Sequence, residues 1–241
     1  VPFADLPHSP LAGGPARIHY REYGDPGGEP LLFLHGGWGY AIYPFDRQLA
    51  ALAGRFRIVI PDRSGYGQSG RLRALPADFH HHAAAETVAL LETLSIEGAI
   101  LWGHSDGAVI SALLGLAHPG RFRGILLEAF HYYRNKPGSR EFFRTMSGNP
   151  QALGERVTAT LAADHGNDYW KRLIELNGLA WLEIARHAQH PKDDLYGGRL
   201  SQLATPCVFL HGSRDPRTEP DELAAIEREA PGTLRVIEGG G

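Results

Sequence analysis

Gly103-His104-Ser105-Asp106-Gly107 fits the pattern G-x-S-x-G and stands directly after the apolar run Ala99-Ile100-Leu101-Trp102. Helix-like sequence follows from Ala108 to Ala117. A strand, a serine between glycines and then a helix make the turn known as a nucleophile elbow. The glycines are a steric requirement. Such a turn strains the serine backbone, and a side chain two positions either way would collide with the neighbouring strand or helix. The stretch therefore predicts a Ser105 hydroxyl held clear of a sheet at a helix N-terminus. The Asp106 N–H would be left free to meet a developing oxyanion. A Gly-rich turn with an ordinary serine also fits five residues, so the rest of the chain must decide.

Outward from the elbow, short runs of Ile, Val, Leu and Phe alternate with longer amphipathic stretches. Arg17 to Tyr23, Leu31 to Leu34, Phe56 to Ile60, Gly124 to Leu127, Cys207 to Leu210 and Leu234 to Ile237 read as strands. The continuous apolar runs among them fit strands buried on both faces. Phe45 to Leu52, Phe79 to Leu94 and Pro220 to Ala230 read as helices. Strand and helix in alternation predict an α/β fold, a mostly parallel central sheet flanked by helices.

One segment breaks the rhythm. From about His131 to Leu200 the chain is helical and aromatic-rich, with Phe142, Phe143, Tyr169, Trp170, Trp181 and Tyr196 and no convincing strand. An insertion there would lie above the carboxyl ends of the strands, where open α/β sheets bind ligands. The expected division is a core of residues 1–130 and 201–241 with a helical lid over 131–200. Most of those aromatics should be ordinary core of the inserted helices, and together they suggest an apolar cover over a pocket.

Composition sets outer limits. The 241 residues carry a formal net charge of −3 and are 43% hydrophobic, enough for one sizeable core. Near-neutral charge gives no reason to expect a nucleic-acid or membrane-surface partner. No apolar run is long enough to span a bilayer, and no signal-peptide pattern opens the chain. The single cysteine, Cys207, excludes an internal disulfide and fits a cytoplasmic, reducing location; a buried, inert thiol is expected there. The chain opens at Val1 and closes at Gly239-Gly240-Gly241, and both ends read as trimmed.

Four motifs together resemble the α/β-hydrolase family over nearly the whole chain. His35-Gly36-Gly37-Trp38-Gly39 follows a strand, where the family places its oxyanion loop. Asp62-Arg63-Ser64-Gly65-Tyr66-Gly67-Gln68-Ser69 resembles the turn after the next buried strand, and Gly103 to Gly107 is the elbow. His211-Gly212-Ser213-Arg214-Asp215-Pro216 is similar to the loop that carries the catalytic acid. The resemblance implies Ser105 as nucleophile, with Gly37 and Asp106 giving backbone N–H groups to the oxyanion and Trp38 beside them against the substrate. Removing one such donor typically costs ~3 kcal/mol of transition-state stabilisation. His35 and Asp62 are expected to be structural, one under the oxyanion loop and one bracing its turn. For the acid, Asp215 holds the position most members use, and Glu128 holds one that some use instead.

The base departs from the pattern. The family's histidine comes last, in a loop after the final strand and often after glycines. Here Val236-Ile237-Glu238-Gly239-Gly240-Gly241 is such a run, and no histidine follows His211. His104 should point elsewhere, while His118, His131, His165, His187 and His190 fall at helix ends or in the lid. His131, at the lid entrance, is the nearest substitute, and the expected base is a histidine beyond Gly241.

His80-His81-His82 does not read as a metal site, because adjacent helical residues point apart. A polar helix start capped by Asp78 is expected instead. The Gly-rich loops match neither the phosphate-binding nor the dinucleotide pattern. The resemblance implies a serine hydrolase of a small, largely apolar ester or related acyl compound, with a lactone or a carbon–carbon bond as open alternatives, and no cofactor or metal. Dehalogenases and epoxide hydrolases place an aspartate at the elbow, so Ser105 argues against both. The rival expectation is a small-ligand receptor on the same fold, since some relatives have lost the histidine.

Overall fold

A computed structural model describes residues 2–241 of the chain. Eight strands form one sheet in the order β1-β2-β4-β3-β5-β6-β7-β8. They are β1 (Phe3–Ser9), β2 (Gly14–Gly24), β3 (Glu29–Leu34), β4 (Phe56–Pro61), β5 (Ile100–His104), β6 (Gly124–Glu128), β7 (Cys207–Gly212) and β8 (Leu234–Ile237). From β4 to β8 neighbours run parallel, while β2 is antiparallel to both β1 and β4.

The central strands are continuous in apolar residues because both of their faces are covered. Leu31 and Phe33 of β3 join Ile58 and Ile60 of β4 and Phe45 in one cluster on one face. Leu32, Leu34 and Val59 point the other way, into the main core. Helix α1 (Asp46–Leu52) packs with the first set, where the Phe33 and Phe45 rings stack at 4.0 Å. Helices α2 (Phe79–Thr93) and α3 (Asp106–Ala117) cover the second. Helix α7 (Glu222–Glu229) precedes β8.

Between β6 and β7 lie α4 (Arg140–Gly148), α5 (Glu155–His165) and α6 (Trp170–Arg186), with a short 3-10 turn joining the first two. The segment read as helical is thus helical, with a single isolated bridge, Tyr133 to Asp194, among the described residues. Tyr169, Trp170 and Tyr196 are buried core there, as expected, whereas Phe142, Phe143 and Trp181 also line a cavity.

Three local readings need correction. β1 was not expected; its polar pattern and Pro7 disguise it, yet an edge strand tolerates proline, and its pairing shifts between Leu6 and Ser9. Asp78 occupies the N-cap of α2 without making a side-chain capping bond, because its carboxylate lies instead 3.5 Å from His82 Nε2. Cys207 is only half-buried at the start of β7; burial still pushes its thiol up, away from the reactive thiolate. No helix among the described residues is long and apolar enough to cross a membrane.

Candidate active site

The turn between β5 and α3 is strained in the way the sequence implies. Ser105 has φ 54° and ψ −118°, in the left-handed region that side chains disfavour. Its N–H is held by the Glu128 carbonyl at 2.9 Å, which fastens the turn to β6. A Cβ on Gly107 would overlap the Leu34 carbonyl oxygen, and one on Gly103 would overlap the Gly107 carbonyl. Only glycine fits at either place, so the elbow forms where the two glycines allow β5, β3 and α3 to close together.

Ser105 opens into a cavity of about 510 Å³ at the carboxyl ends of the strands. That size suits a small-molecule ligand. Gly37 and Asp106 line it beside the serine, as does Trp38. Asp106 is the first residue of α3, so its N–H has no acceptor within the helix. A Cβ on Gly37 would lie 2.6 Å from Asp106 Oδ2 and 2.8 Å from Asn177 Oδ1, which shows how closely the two loops approach. The opposite wall comes from the inserted helices: Phe143 and Trp181 stack at 5.2 Å, and Phe142 lies 5.5 Å from Trp38. Arg217 sits over the Phe142 ring at 4.1 Å.

The two carboxylates proposed from sequence both reach this cavity. Asp215 Oδ1 accepts the Arg217 backbone N–H at 2.8 Å, and its Oδ2 is 3.5 Å from His211 Nε2. Glu128 Oε2 accepts the Trp102 indole N–H at 2.9 Å. Gly240 and Gly241 line the same cavity as Ser105 and Asp215.

The structural readings of His35 and Asp62 agree with their surroundings. His35 Nδ1 donates to the Gly36 carbonyl at 2.7 Å beneath the Gly36–Gly39 loop, and its Nε2 accepts the Arg63 N–H at 3.3 Å. Burial, then the Arg63 charge, hold this imidazole well below its ordinary range. Asp62 accepts from His19 Nδ1 and Arg21 Nη1, each at 2.6 Å, and from the Gln68 N–H at 3.1 Å.

Among the other histidines, one departs from its sequence reading and the rest have partners that reading did not show. His104 does not turn away but lines the cavity, 4.7 Å from the Tyr43 ring. His165, on the inserted α5, accepts the Gly67 N–H at 2.9 Å and donates to the Trp38 carbonyl at 3.0 Å, tying two loops together. His80 lies in the first turn of α2, as read, but is only 3% exposed and meets Asp106 Oδ1 at 3.1 Å, while His81 is exposed. No group of three potential metal ligands converges among the described residues. His131, weighed only as a substitute base, lies with Nε2 3.1 Å from Ser105 Oγ.

Asp106 has a second role that the motif did not reveal. Its buried carboxylate accepts from His80 Nε2 and Trp181 Nε1 at 3.1 Å and from Asn177 Nδ2 at 3.3 Å. Burial opposes its charge, yet the His80 hydrogen bond and the Arg63 guanidinium hold the carboxyl well below the usual carboxylate range.

Comparison with known proteins agrees with this geometry. Residues 29–181 match the alpha/beta hydrolase fold family. Human serine hydrolase BPHL is 28% identical over 205 residues, covering 83% of this chain and 67% of that protein. A non-heme chloroperoxidase of Streptomyces lividans is 30% identical over 250 residues, covering 92% of this chain and 88% of its own. A thermophilic esterase from Thermogutta terrifontis superposes with a TM-score of 0.70 at 19% identity, over 100% of this chain and 91% of that one. With its elbow, its strand order and these relatives, the chain belongs to the alpha/beta hydrolase family.

Proposed function

We propose that the protein is a serine hydrolase that cleaves a small, largely apolar ester or related acyl substrate through an acyl-enzyme on Ser105. The observation that carries this reading is the strained backbone of Ser105, at a helix N-terminus and in the wall of the cavity. Ser95 has a similar positive φ but merely follows the end of α2, whereas Ser105 carries this strain at a helix N-terminus in the cavity wall, which supports a chemical use. Ser105 attacks the acyl carbon, and the N–H groups of Gly37 and Asp106 receive the oxyanion. Trp38, Phe142 and Trp181 give the apolar surface against which the acyl group rests. Residues 131–200 then act as a lid over the core of 1–130 and 201–241.

Asp215 is the orienting acid in this reading, with its carboxylate in the same cavity as the nucleophile. Gly240 and Gly241 line that cavity too. The reading uses side chains and backbone amides alone, and its only partner is a small-molecule substrate. Epoxide hydrolases are among the relatives, 34% identical over 110 residues in one case from Mycobacterium tuberculosis. The serine at the elbow nevertheless favours a hydroxyl that attacks an acyl carbon over a carboxylate that opens an epoxide.

A fluorophosphonate probe on the intact gene product tests the reading. Labelling at Ser105 that vanishes in Ser105→Ala, with turnover of short-chain esters, is the expected result. Labelling that persists in the variant would remove Ser105 as the nucleophile. No labelling at all would favour a small-ligand receptor on the same fold.

A further inference from the structure

Ser105 Oγ touches an imidazole that belongs to no part of the acid–base scheme above. His131 follows β6, is 6% exposed, and presents Nε2 to Ser105 Oγ at 3.1 Å. Its other nitrogen, Nδ1, is 3.2 Å from Lys136 Nζ. Lys136 in turn lies against both Glu222 oxygens, at 2.7 and 2.6 Å. Glu222 is saturated from the far side by the N–H groups of Tyr132, Tyr133 and Glu219 at 2.8, 3.1 and 2.8 Å. The line from Ser105 to Glu222 is continuous, and beyond the half-buried serine every member of it is buried.

The chemistry of the groups sets the proton positions. An ammonium has only donors, so Lys136 facing the Glu222 carboxylate gives its remaining hydrogen to Nδ1. Nδ1 must therefore be a bare acceptor. A neutral imidazole carries one N–H, which then lies on Nε2. A hydroxyl can either give or accept, so Ser105 Oγ accepts and its own hydrogen points away from His131. We propose that His131 is a second catalytic group at Ser105, a neutral imidazole fixed by Lys136 and Glu222 as an Nε2–H donor to the serine oxygen. It takes no proton and forms no bond. The inference rests on Ser105 being the nucleophile.

The same geometry removes His131 from the role of general base. A base would need the lone pair on Nε2, which puts an N–H on Nδ1 directly against the ammonium. Imidazolium meets the same obstacle, and burial followed by the Lys136 charge keeps the ring neutral. The other charged or titratable neighbours are Asp106, His80 and His211, of which only Asp106 pulls toward protonation. The ring itself is held edge-on to Trp181 at 5.2 Å, and its backbone carbonyl accepts from the Tyr196 hydroxyl at 2.7 Å. A donor fixed in this way strengthens as negative charge gathers on Oγ. That happens when the serine attacks, and again when it is expelled from the acyl-enzyme. It also leaves the serine hydrogen directed at whatever base stands opposite.

Two measurements on the intact gene product test the inference. Long-range proton–nitrogen spectra of protein labelled with 15N-histidine read the tautomer directly, with His131 assigned by its loss in His131→Gln. The expected pattern is a protonated Nε2 and a bare Nδ1, unchanged between about pH 8 and pH 5, well below the ordinary midpoint. A proton on Nδ1, or an imidazolium forming near pH 6.5, overturns the inference. In kinetics, His131→Leu is expected to lower kcat about 10- to 100-fold with KM nearly unchanged. His131→Gln, whose amide N–H reaches the Nε2 position, should recover most of that loss. Equal inactivity of both variants, once folding is confirmed, contradicts a donor role, as does full activity of the leucine variant. Should His131→Leu not fold, the spectra decide alone. If probe labelling survives Ser105→Ala, the nucleophile assignment has failed whatever the tautomer; if it is lost and the proton sits on Nδ1, only the His131 inference has failed.

Discussion

Trp181 of α6 donates its indole N–H to the Asp106 carboxylate at 3.1 Å, so the residue beside the candidate nucleophile also anchors the inserted helices. One side chain thereby couples elbow geometry to the cavity wall. Asp106→Ala would strand the donors of His80, Trp181 and Asn177 in a buried site. A loss of about 3 to 5 kcal/mol in urea unfolding is expected, with Trp181→Phe costing only about 1 kcal/mol. An alanine variant within 1 kcal/mol of the parent would mean that the carboxylate does not hold the two parts together.

The elbow itself should tolerate no side chain at its flanking glycines. Gly107→Ala and Gly103→Ala each force a methyl group into a backbone carbonyl. Both variants should express poorly or melt well below the parent, in the range of severe overpacking, at least about 3 kcal/mol. Gly54 is the control, since a Cβ there meets nothing within 4 Å and its φ is ordinary. Gly54→Ala should be neutral or slightly stabilising. Comparable melting temperatures for all three would contradict the packing described at the elbow.

Much of the fold could be read because its signals are local. Apolar runs such as Leu31 to Leu34 and glycines at fixed offsets around Ser105 carry their meaning within a few residues. The strand β1 escaped because its residues are polar on the outer side and interrupted by Pro7, and only pairing with β2 makes it a strand. The site was legible where a motif names a position on the cavity wall, as with Gly37 and Asp106. It was illegible where distant chain segments meet. His80 and Asp106 are 26 positions apart, as are Ser105 and His131, and no spacing rule joins them. The Lys136–Glu222 pair bridges 86 positions and left no trace in either neighbourhood.

Acid should destabilise the protein earlier than carboxylates alone would. His35, His80 and His131 are all held below the ordinary histidine range, in each case chiefly by burial. A depressed folded-state value means that the unfolded chain binds protons first. Their contribution is complete above about pH 6.5 and falls as pH drops below it, by up to about 1.4 kcal/mol per pH unit for each ring. Asp106, also depressed, adds its own loss only below about pH 4. Denaturation midpoints at pH 7.5 and 5.5 should therefore differ clearly, with the lower value at pH 5.5. Equal midpoints would show that these imidazoles are not buried neutral.

The buried pair behind His131 should break asymmetrically. Lys136 and Glu222 side chains are 1% and 0% exposed, so each charge depends on its partner. Lys136→Met leaves Glu222 with three backbone N–H donors, which still spread its charge. Glu222→Leu leaves Lys136 with one imidazole nitrogen and also strands those three N–H groups. The leucine variant is expected to lose at least about 3 to 5 kcal/mol, the methionine variant distinctly less. Urea titrations of both variants at pH 7.5 read this directly. Equal losses would mean that Glu222 is not sustained by its backbone donors.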